Sequence, residues 1–124
     1  MSVPDVFLPL LYSVDHSAYD ATATNDLGDP IPDWQEPVER DVYGWGPPQQ
    51  ETPKEVIVGD DRIRVELELM VPPGWQSKHR DKFDLGYGDD VVYYQVGPVE
   101  DYEHNPFGWN PGSVVNLVSI KGVL

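Results

Sequence analysis

The sequence predicts an all-β fold, a small antiparallel β-barrel of five to six short strands with one long proline-rich loop. Two observations support this prediction. Proline and glycine supply 13 and 11 of the 124 residues, which disfavours long helices and favours short strands between turns. Several segments also alternate apolar and polar residues with a period of two, the pattern of a half-buried strand. This pattern is typical of a small barrel or a sandwich, and closing the strands into a barrel leaves no unpaired edges.

The clearest predicted strand covers residues 62–71. Its aliphatic residues occupy every second position, so that they share one face; they are Ile63, Val65, Leu67, Leu69 and Val71. The other face begins with Arg62 and Arg64. Residues 59–61 before it and 72–74 after it are rich in the glycine, proline and aspartate of turns.

Further strands are predicted where β-branched and aromatic residues cluster between turn signals. In the C-terminal half they cover residues 91–96 and 114–120. Residues 78–85 are a further short strand, in which the alternation of Lys78, Arg80 and Lys82 places three cations on one side. In the N-terminal half one lies within residues 11–24 and the next covers residues 38–45. The length is that of one domain, residues 1–124, in which residues 1–11 form an N-terminal arm.

A long loop, residues 46–55, separates the predicted strands of the two halves. It contains Pro47, Pro48 and Pro53. Each proline lacks an amide donor and has a fixed φ, so this segment cannot be a central strand and is stiffened as a loop. Because the other connections are short, we expect the loop to carry function.

Charge narrows the function classes. The chain has 22 acidic and 8 basic residues, a net charge of −14. Wrapping nucleic acid requires lysine and arginine to neutralise phosphates, and anionic membranes attract basic surfaces, so both partners are disfavoured. The apolar stretch at residues 6–12 is too short to span a bilayer and lacks a preceding basic region. We therefore expect a protein made in the cytoplasm without a membrane partner.

Catalytic and cofactor motifs are missing, and we predict neither an enzyme nor a cofactor. Cysteine is absent, which excludes thiol catalysis and cysteine-based zinc sites. The three histidines, His16, His79 and His104, are scattered without metal-ligand spacing. A calcium site formed by acids between Asp81 and Asp90 matches no known loop, so a solvated acidic turn is the better interpretation. No carboxylate pair stands out as a glycoside-hydrolysing one.

The four tryptophans lie beside turns rather than inside alternating strands: Trp34, Trp45, Trp75 and Trp109. Three interpretations remain open. They cap the ends of the barrel, they anchor an interface, since tryptophan and tyrosine dominate interface hot spots, or they form a platform on which a carbohydrate stacks.

Four segments, in this order along the chain, resemble head-to-tail joining proteins of long-tailed bacteriophages, particularly phages of actinobacteria. The most extended is YQVGPVEDYEHNPFGWNPG at residues 94–112, followed by a closing strand. The others are residues 22–34 with DLGD and DW, YGWGPPQ at 43–49, and LMVPPG at 69–74. The similarity extends from about residue 12 to the C-terminal strand.

The resemblance implies a head completion protein, the stopper or head-closure component of the neck. Such proteins are small β-barrels that form a ring beneath the portal and its adaptor once DNA is packaged. One loop from each copy closes the channel, DNA passes without sequence-specific binding, and the tail terminator or tail tube docks on the far side. A ring of six or twelve copies follows by analogy with the family. The protein would be assembled in the host cytoplasm and reside in the virion neck.

Two groups of site residues follow. The channel loop consists of Gly46, Pro47, Pro48, Gln49, Gln50, Glu51, Thr52 and Pro53. The interface between copies uses cations that offset the acidic charge, together with aromatic anchors: Arg62, Arg64, Lys78, Arg80, Lys82, Trp45, Phe107 and Trp109. Alternatives are a tail terminator or another neck ring, a carbohydrate-binding β-domain, and a small acidic hydrolase for which no residues stand out.

Overall fold

The computed structural model describes residues 9–48, 52–88, 91–101 and 112–119, and these ranges contain strands and no helix. The predicted fold class is confirmed: the main sheet is antiparallel and closes almost completely into a small barrel. The strands of the described ranges are β1 Tyr12–Ser17, β2 Val38–Val42, β3 Gly44–Gly46, β4 Glu55–Val58, β5 Asp61–Arg64, β6 Leu67–Val71, β7 Lys82–Asp84, β8 Tyr93–Gln95, β9 Glu100–Asp101 and β10 Ser113–Ser119. They are more numerous than predicted because two predicted strands each divide into two, and because β4 and β9 were not predicted.

Barrel closure depends on a bend between β2 and β3. The strand order is β2-β1-β7-β8-β10-β6-β3, so the two ends of the sheet are consecutive pieces of one chain segment. The Tyr43 amide donates to the Met70 carbonyl at 3.0 Å and links the bend to β6. Gly44 takes a φ of +155° there, a region that other residues rarely adopt. The segment predicted as one strand at 38–45 therefore pairs with β1 before the bend and with β6 after it.

Apolar side chains from most of the barrel strands fill its interior. The side chains of the central cluster are each less than 10% exposed: Val14, Val42, Leu69, Val71, Phe83, Leu85, Val115 and Leu117. They alternate with exposed residues along β1 and β6, as a period of two requires. Burial of this cluster is the main source of the fold's stability.

The predicted strand 62–71 is wrong as a single element. Its first part, β5, pairs with β4 as a separate hairpin whose turn contains Gly59 at a φ of +61°. After Val65 the chain changes partner, because the Glu66 amide donates to the Leu117 carbonyl on β10 at 2.9 Å. The alternation survives the break, since Val65, Leu69 and Val71 are all buried. The sequence pattern thus identifies the buried face but not the change of partner.

The predicted strand within 78–85 is shorter than expected. Strand β7 covers only residues 82–84, and Arg80 has a φ of +78°, which an extended strand does not allow. Lys78 and Arg80 therefore lie in the turn before β7, and the expected row of three alternating cations on a strand does not form. Within the described ranges, no helix has the length and apolarity needed to cross a bilayer.

Candidate functional site

The proline-rich loop leaves the barrel at the end of β3 and returns at β4. Pro47 is exposed and Pro48 half-buried, while Thr52 and Pro53 on the returning side are exposed. Gln49, Gln50 and Glu51 lie outside the described residues. Between the two sides of the loop and the β5–β6 junction is a concave space of about 400 Å³.

Lys54 anchors the returning side of the loop. Its ammonium group donates to Glu68 on β6 at 2.7 Å and also to Glu100 on β9. The Lys54 carbonyl accepts the Val65 amide at 2.8 Å. Only 12% of the Lys54 side chain is exposed. Burial acts to lower the pKa of Lys54, but the hydrogen bonds to Glu100 and Glu68 outweigh it and raise the pKa above 10.5.

Lys54 was not among the residues predicted for the channel loop or the interface. The only signal was a lysine between Pro53 and a predicted strand in an acid-rich chain. Its two carboxylate partners are 14 and 46 residues away, so their convergence is a property of the tertiary structure. A cation bound to two strands at once fixes the loop base relative to the barrel wall.

The cations predicted for the interface divide into two groups. Three of them have partners within the chain. Lys78 lies 3.4 Å from Asp81, the Arg80 guanidinium lies 5.5 Å from the Tyr19 ring centre, and the Lys82 ammonium lies 4.2 Å from that of Trp34. Arg62 and Arg64 on β5 are exposed and form no ion pair within the described part of the chain.

Asp81 organises the turn before β7. It is 1% exposed and accepts three hydrogen bonds, from His16 at 2.7 Å, the Tyr19 amide at 2.8 Å and the Lys78 amide at 3.1 Å. Burial acts to raise the pKa of Asp81, but these bonds outweigh it and hold the pKa below 3.8. The His16 ring stacks on Phe83 with centroids 4.8 Å apart. The pair is buried, and its geometry joins β1 to the turn.

The three described tryptophans are engaged within the fold. Each indole N–H donates a hydrogen bond. Trp34 donates to the Arg80 carbonyl, Trp45 to the Tyr87 hydroxyl, and Trp75 to the Ser77 hydroxyl. The ring of Trp75 lies against the core, below the Arg40 guanidinium at 5.1 Å. Trp45 and Trp75 thus cover the barrel core, whereas Trp34 lies against the rings of Tyr19 and Tyr94. Phe107 and Trp109, predicted as interface anchors, lie outside the described residues.

A second concave region lies between the β4–β5 hairpin and the barrel. Its volume is about 410 Å³, and its walls include Tyr19, Trp34 and Tyr94 with Ile63 from the hairpin. His79 borders it and accepts the Gly97 amide on Nδ1 at 3.0 Å. Burial, reinforced by the neighbouring Arg80 charge, lowers the pKa of His79 below 6.5. A neutral imidazole is the form that can accept this hydrogen bond.

Metal-binding geometry does not occur within the described ranges, where no three histidine or acidic side chains converge as ligands. Of the acids considered for calcium, Asp81 is fully bonded to protein groups, and Asp84 accepts the Gly86 amide at 2.9 Å. Asp89 and Asp90 lie outside the described residues.

The chain has no match among protein-family models, curated proteins or solved structures. The functional assignment therefore rests on the barrel, the anchored loop, the charge distribution and the four ordered sequence segments.

Proposed function

We propose that this protein is a head completion protein, the stopper of the neck of a long-tailed bacteriophage. The observation that carries the proposal is a proline-rich loop with an anchored base on a small β-barrel. Lys54 fixes the returning side of the loop to two strands. The order of the four sequence segments supports the same assignment, as does the barrel that the resemblance implies.

The loop's construction suits a gate. Pro47, Pro48 and Pro53 restrict the free conformations of the loop, which lowers the entropy lost when it closes. The bonds of Lys54 to Glu68 and Glu100 hold the base of this stiffened loop at the barrel wall. In a ring, one loop per copy would converge on the channel, and Gln49 and Gln50 supply amide donors and acceptors for bonds between neighbouring loops.

The charge suits a channel that DNA passes. A net charge of −14 repels phosphate, so DNA moves through the ring without being captured. In this proposal the portal adaptor lies above the ring and the tail terminator or tail tube protein below it. The ring itself contains several copies of this chain, assembled in the host cytoplasm and retained in the virion.

Electron microscopy of particles assembled with this gene disabled tests the proposal. A stopper's loss leaves separate tails beside heads that have lost DNA, because nothing closes the channel. Separate heads that keep their DNA point instead to the tail terminator or another neck ring. Normally joined, infectious particles contradict a neck function.

Deletion of residues 47–52 is the sharper second experiment, since the barrel strands and Lys54 remain. We expect rings that assemble and join tails but leak DNA. Rings that retain DNA as well as the unmodified protein contradict the gate role of the loop and leave the neck assignment standing.

The aromatic cavity beside the hairpin favours one candidate of another class, a carbohydrate-binding β-domain. Tyr19, Trp34 and Tyr94 are ring types on which sugars stack. The Lys82 ammonium near the Trp34 ring, however, occupies part of the available surface. Titration of the purified protein with oligosaccharides, followed by tryptophan fluorescence, separates the two: saturable binding lost in Trp34→Ala supports the carbohydrate function.

A further inference from the structure

The β4–β5 hairpin presents an unusual outward face. Directly opposed residues share a face, and the outward pairs are Ile57 with Arg62 and Glu55 with Arg64. All four are exposed, and Ile57 is 68% exposed. The inward pairs, by contrast, include Val56 with Ile63, which face the barrel and are half-buried. The hairpin therefore offers two arginines beside an aliphatic side chain to solvent.

These arginines stand out from the chain's other described cations. Arg40, Lys54, Lys78, Arg80 and Lys82 each contact either a carboxylate or an aromatic ring. Within the described ranges only Arg62 and Arg64 contact neither. Glu55 lies opposite Arg64, but no ion pair joins them. On a chain of net charge −14, two cations that have no acidic partner among the described residues mark a surface that attracts one.

An acidic face lies on β2, β1 and β7. Asp15 on β1 is directly opposite Glu39 on β2 and Asp84 on β7, so three carboxylates form one row across three strands. Asp41 lies nearby, opposite Ser13. These acids are exposed and form no ion pair within the described ranges. Like charges directly opposite one another destabilise a sheet, so a cation from another molecule would stabilise this row.

One of the described cations shares this face. It is Lys82 on β7, which lies opposite Ser17 on β1. Its ammonium group lies over the Trp34 ring at 4.2 Å and forms no ion pair with Asp15 or Asp84. The row therefore remains acidic.

The two surfaces are built from different elements. The acidic row belongs to β2, β1 and β7. The hairpin joins β6, contacts the chain after β8, where Val56 lies against Gly97, and borders the cavity that Tyr19 and Trp34 line. Two different, complementary patches on one subunit generate a head-to-tail contact, which closes into a ring when the rotation per subunit allows it.

We propose that the outward face of the hairpin docks on the acidic row of a second copy of this chain. Arg62 and Arg64 pair with the row formed by Glu39, Asp15 and Asp84, and Ile57 is buried in the contact. The inference rests on the proposed function, since it names the surfaces by which a neck ring would assemble.

Thiol cross-linking tests the contact directly, because the chain has no cysteine of its own. Ile57→Cys places a thiol on the hairpin face and Ser13→Cys places one on the acidic face. Mixed at physiological ionic strength, where the long-range repulsion between acidic chains is screened, and treated with the thiol oxidant diamide, the two full-length variants should form disulfide heterodimers. Leu27→Cys, at a turn residue that is 86% exposed, is the accessible-thiol control partner for Ile57→Cys.

We expect the Ile57→Cys and Ser13→Cys mixture to cross-link at least about fivefold more than the control mixture. A yield equal to the control, or homodimers exceeding the heterodimer, overturns the contact. All three positions are exposed, so each variant should fold, which thermal unfolding verifies.

Charge reversal then tests its electrostatic basis. Arg62→Glu with Arg64→Glu on the Ile57→Cys chain should reduce the heterodimer to the control level. Adding Asp15→Lys and Glu39→Lys on the Ser13→Cys chain should restore it. Loss without restoration overturns the pairing of these two faces. Failure here is separable from failure of the neck function, which the particles from the disabled gene report independently.

Discussion

The barrel and the β4–β5 hairpin with its preceding loop are stabilised by different means. The inner strands of the barrel sheet pair on both sides, around a buried apolar cluster in which Leu69 and Leu117 are 0% exposed. The hairpin is a separate two-stranded sheet, held to the barrel by Lys54 at its base and by Val56 against Gly97. Two strands alone are marginally stable in water. The barrel thus supplies the stability, and the hairpin and loop are free to present charge and a stiff projection.

Truncating the barrel core should have the largest effect. Leu69→Ala or Leu117→Ala removes buried methyl groups from a closed interior and should lower the free energy of unfolding by about 2–5 kcal/mol. Ile57→Ala on the hairpin is the control and should change it by less than about 0.5 kcal/mol. Urea denaturation measures both. Similar losses for the two variants would mean that the hairpin is part of the core after all.

Gly97→Ala should be next, because it acts where the two regions meet. An added Cβ would lie 2.6 Å from Val56 Cγ1, and the φ of Gly97 is +73°. Strain and clash together should cost about 2–4 kcal/mol. Gly86→Ala shares the positive φ, +88°, but has open space around it, so it should cost only about 1–2 kcal/mol.

A double-mutant cycle separates clash from backbone strain at Gly97. Adding Val56→Ala to Gly97→Ala removes the side chain that the new Cβ meets. The double variant should therefore recover the part of the loss in unfolding free energy by which Gly97→Ala exceeds Gly86→Ala. Thermal unfolding reports the interaction energy. Strict additivity of the two substitutions would show that the hairpin does not contact the barrel at this point.

Lys54→Met should have a smaller effect, concentrated at the loop. It leaves Glu68 and Glu100 without their shared cation and should cost about 1–2 kcal/mol, reduced because both acids are partly exposed. Hydrogen exchange at the Val65 amide, which the Lys54 backbone holds, should accelerate. Lys78→Met removes a 57% exposed cation and should leave that amide unchanged. Equal protection in both variants would contradict an anchoring role.

Lowering the pH should lower the free energy of unfolding in two small steps. The pKa of His79 is lowered from 6.5, so its contribution is present above pH 6.5 and is lost as pH falls through the folded value. The pKa of Asp81 is lowered from 3.8, so its contribution is present above pH 3.8 and is lost as pH falls further. Unfolding free energies measured across pH should lose the upper step in His79→Asn and the lower step in Asp81→Asn. Unchanged profiles would contradict both assignments.

Alternation alone predicted which residues of the segment 62–71 are buried, since Val65, Leu69 and Val71 lie inside and Arg62 and Arg64 outside. It did not predict that the chain leaves β4 for β10 at residues 65–66, because a strand's partner is not encoded in its own period. The prolines predicted the loop directly, since each removes an amide donor wherever it occurs. Its predicted ends were wrong by one residue each, because Gly46 is the last residue of β3, where it pairs with Glu68, and Glu55 is the first residue of β4.

The interface cations show a second limit of sequence reasoning. Five lysines and arginines were grouped by charge. The fold engages Lys78 with Asp81 three residues away, but Arg80 and Lys82 with the distant rings of Tyr19 and Trp34, as in the 61 residues between Arg80 and Tyr19. Of that group, only Arg62 and Arg64 contact neither a carboxylate nor a ring among the residues that the structure describes. Whether a surface charge is available for a partner depends on which distant side chains approach it, and composition does not contain that information.

By itself, the sequence determined the all-β class, the inward faces of the strands and the position of the stiff loop. These follow from local physics: glycine and proline limit the backbone, and a period of two fixes sidedness. The tertiary structure alone decided the separation of the hairpin from the barrel, the Lys54 anchor and the assembly of the acidic row from three strands. Each of these depends on long-range pairing, in which residues distant in sequence become neighbours and their charges first interact.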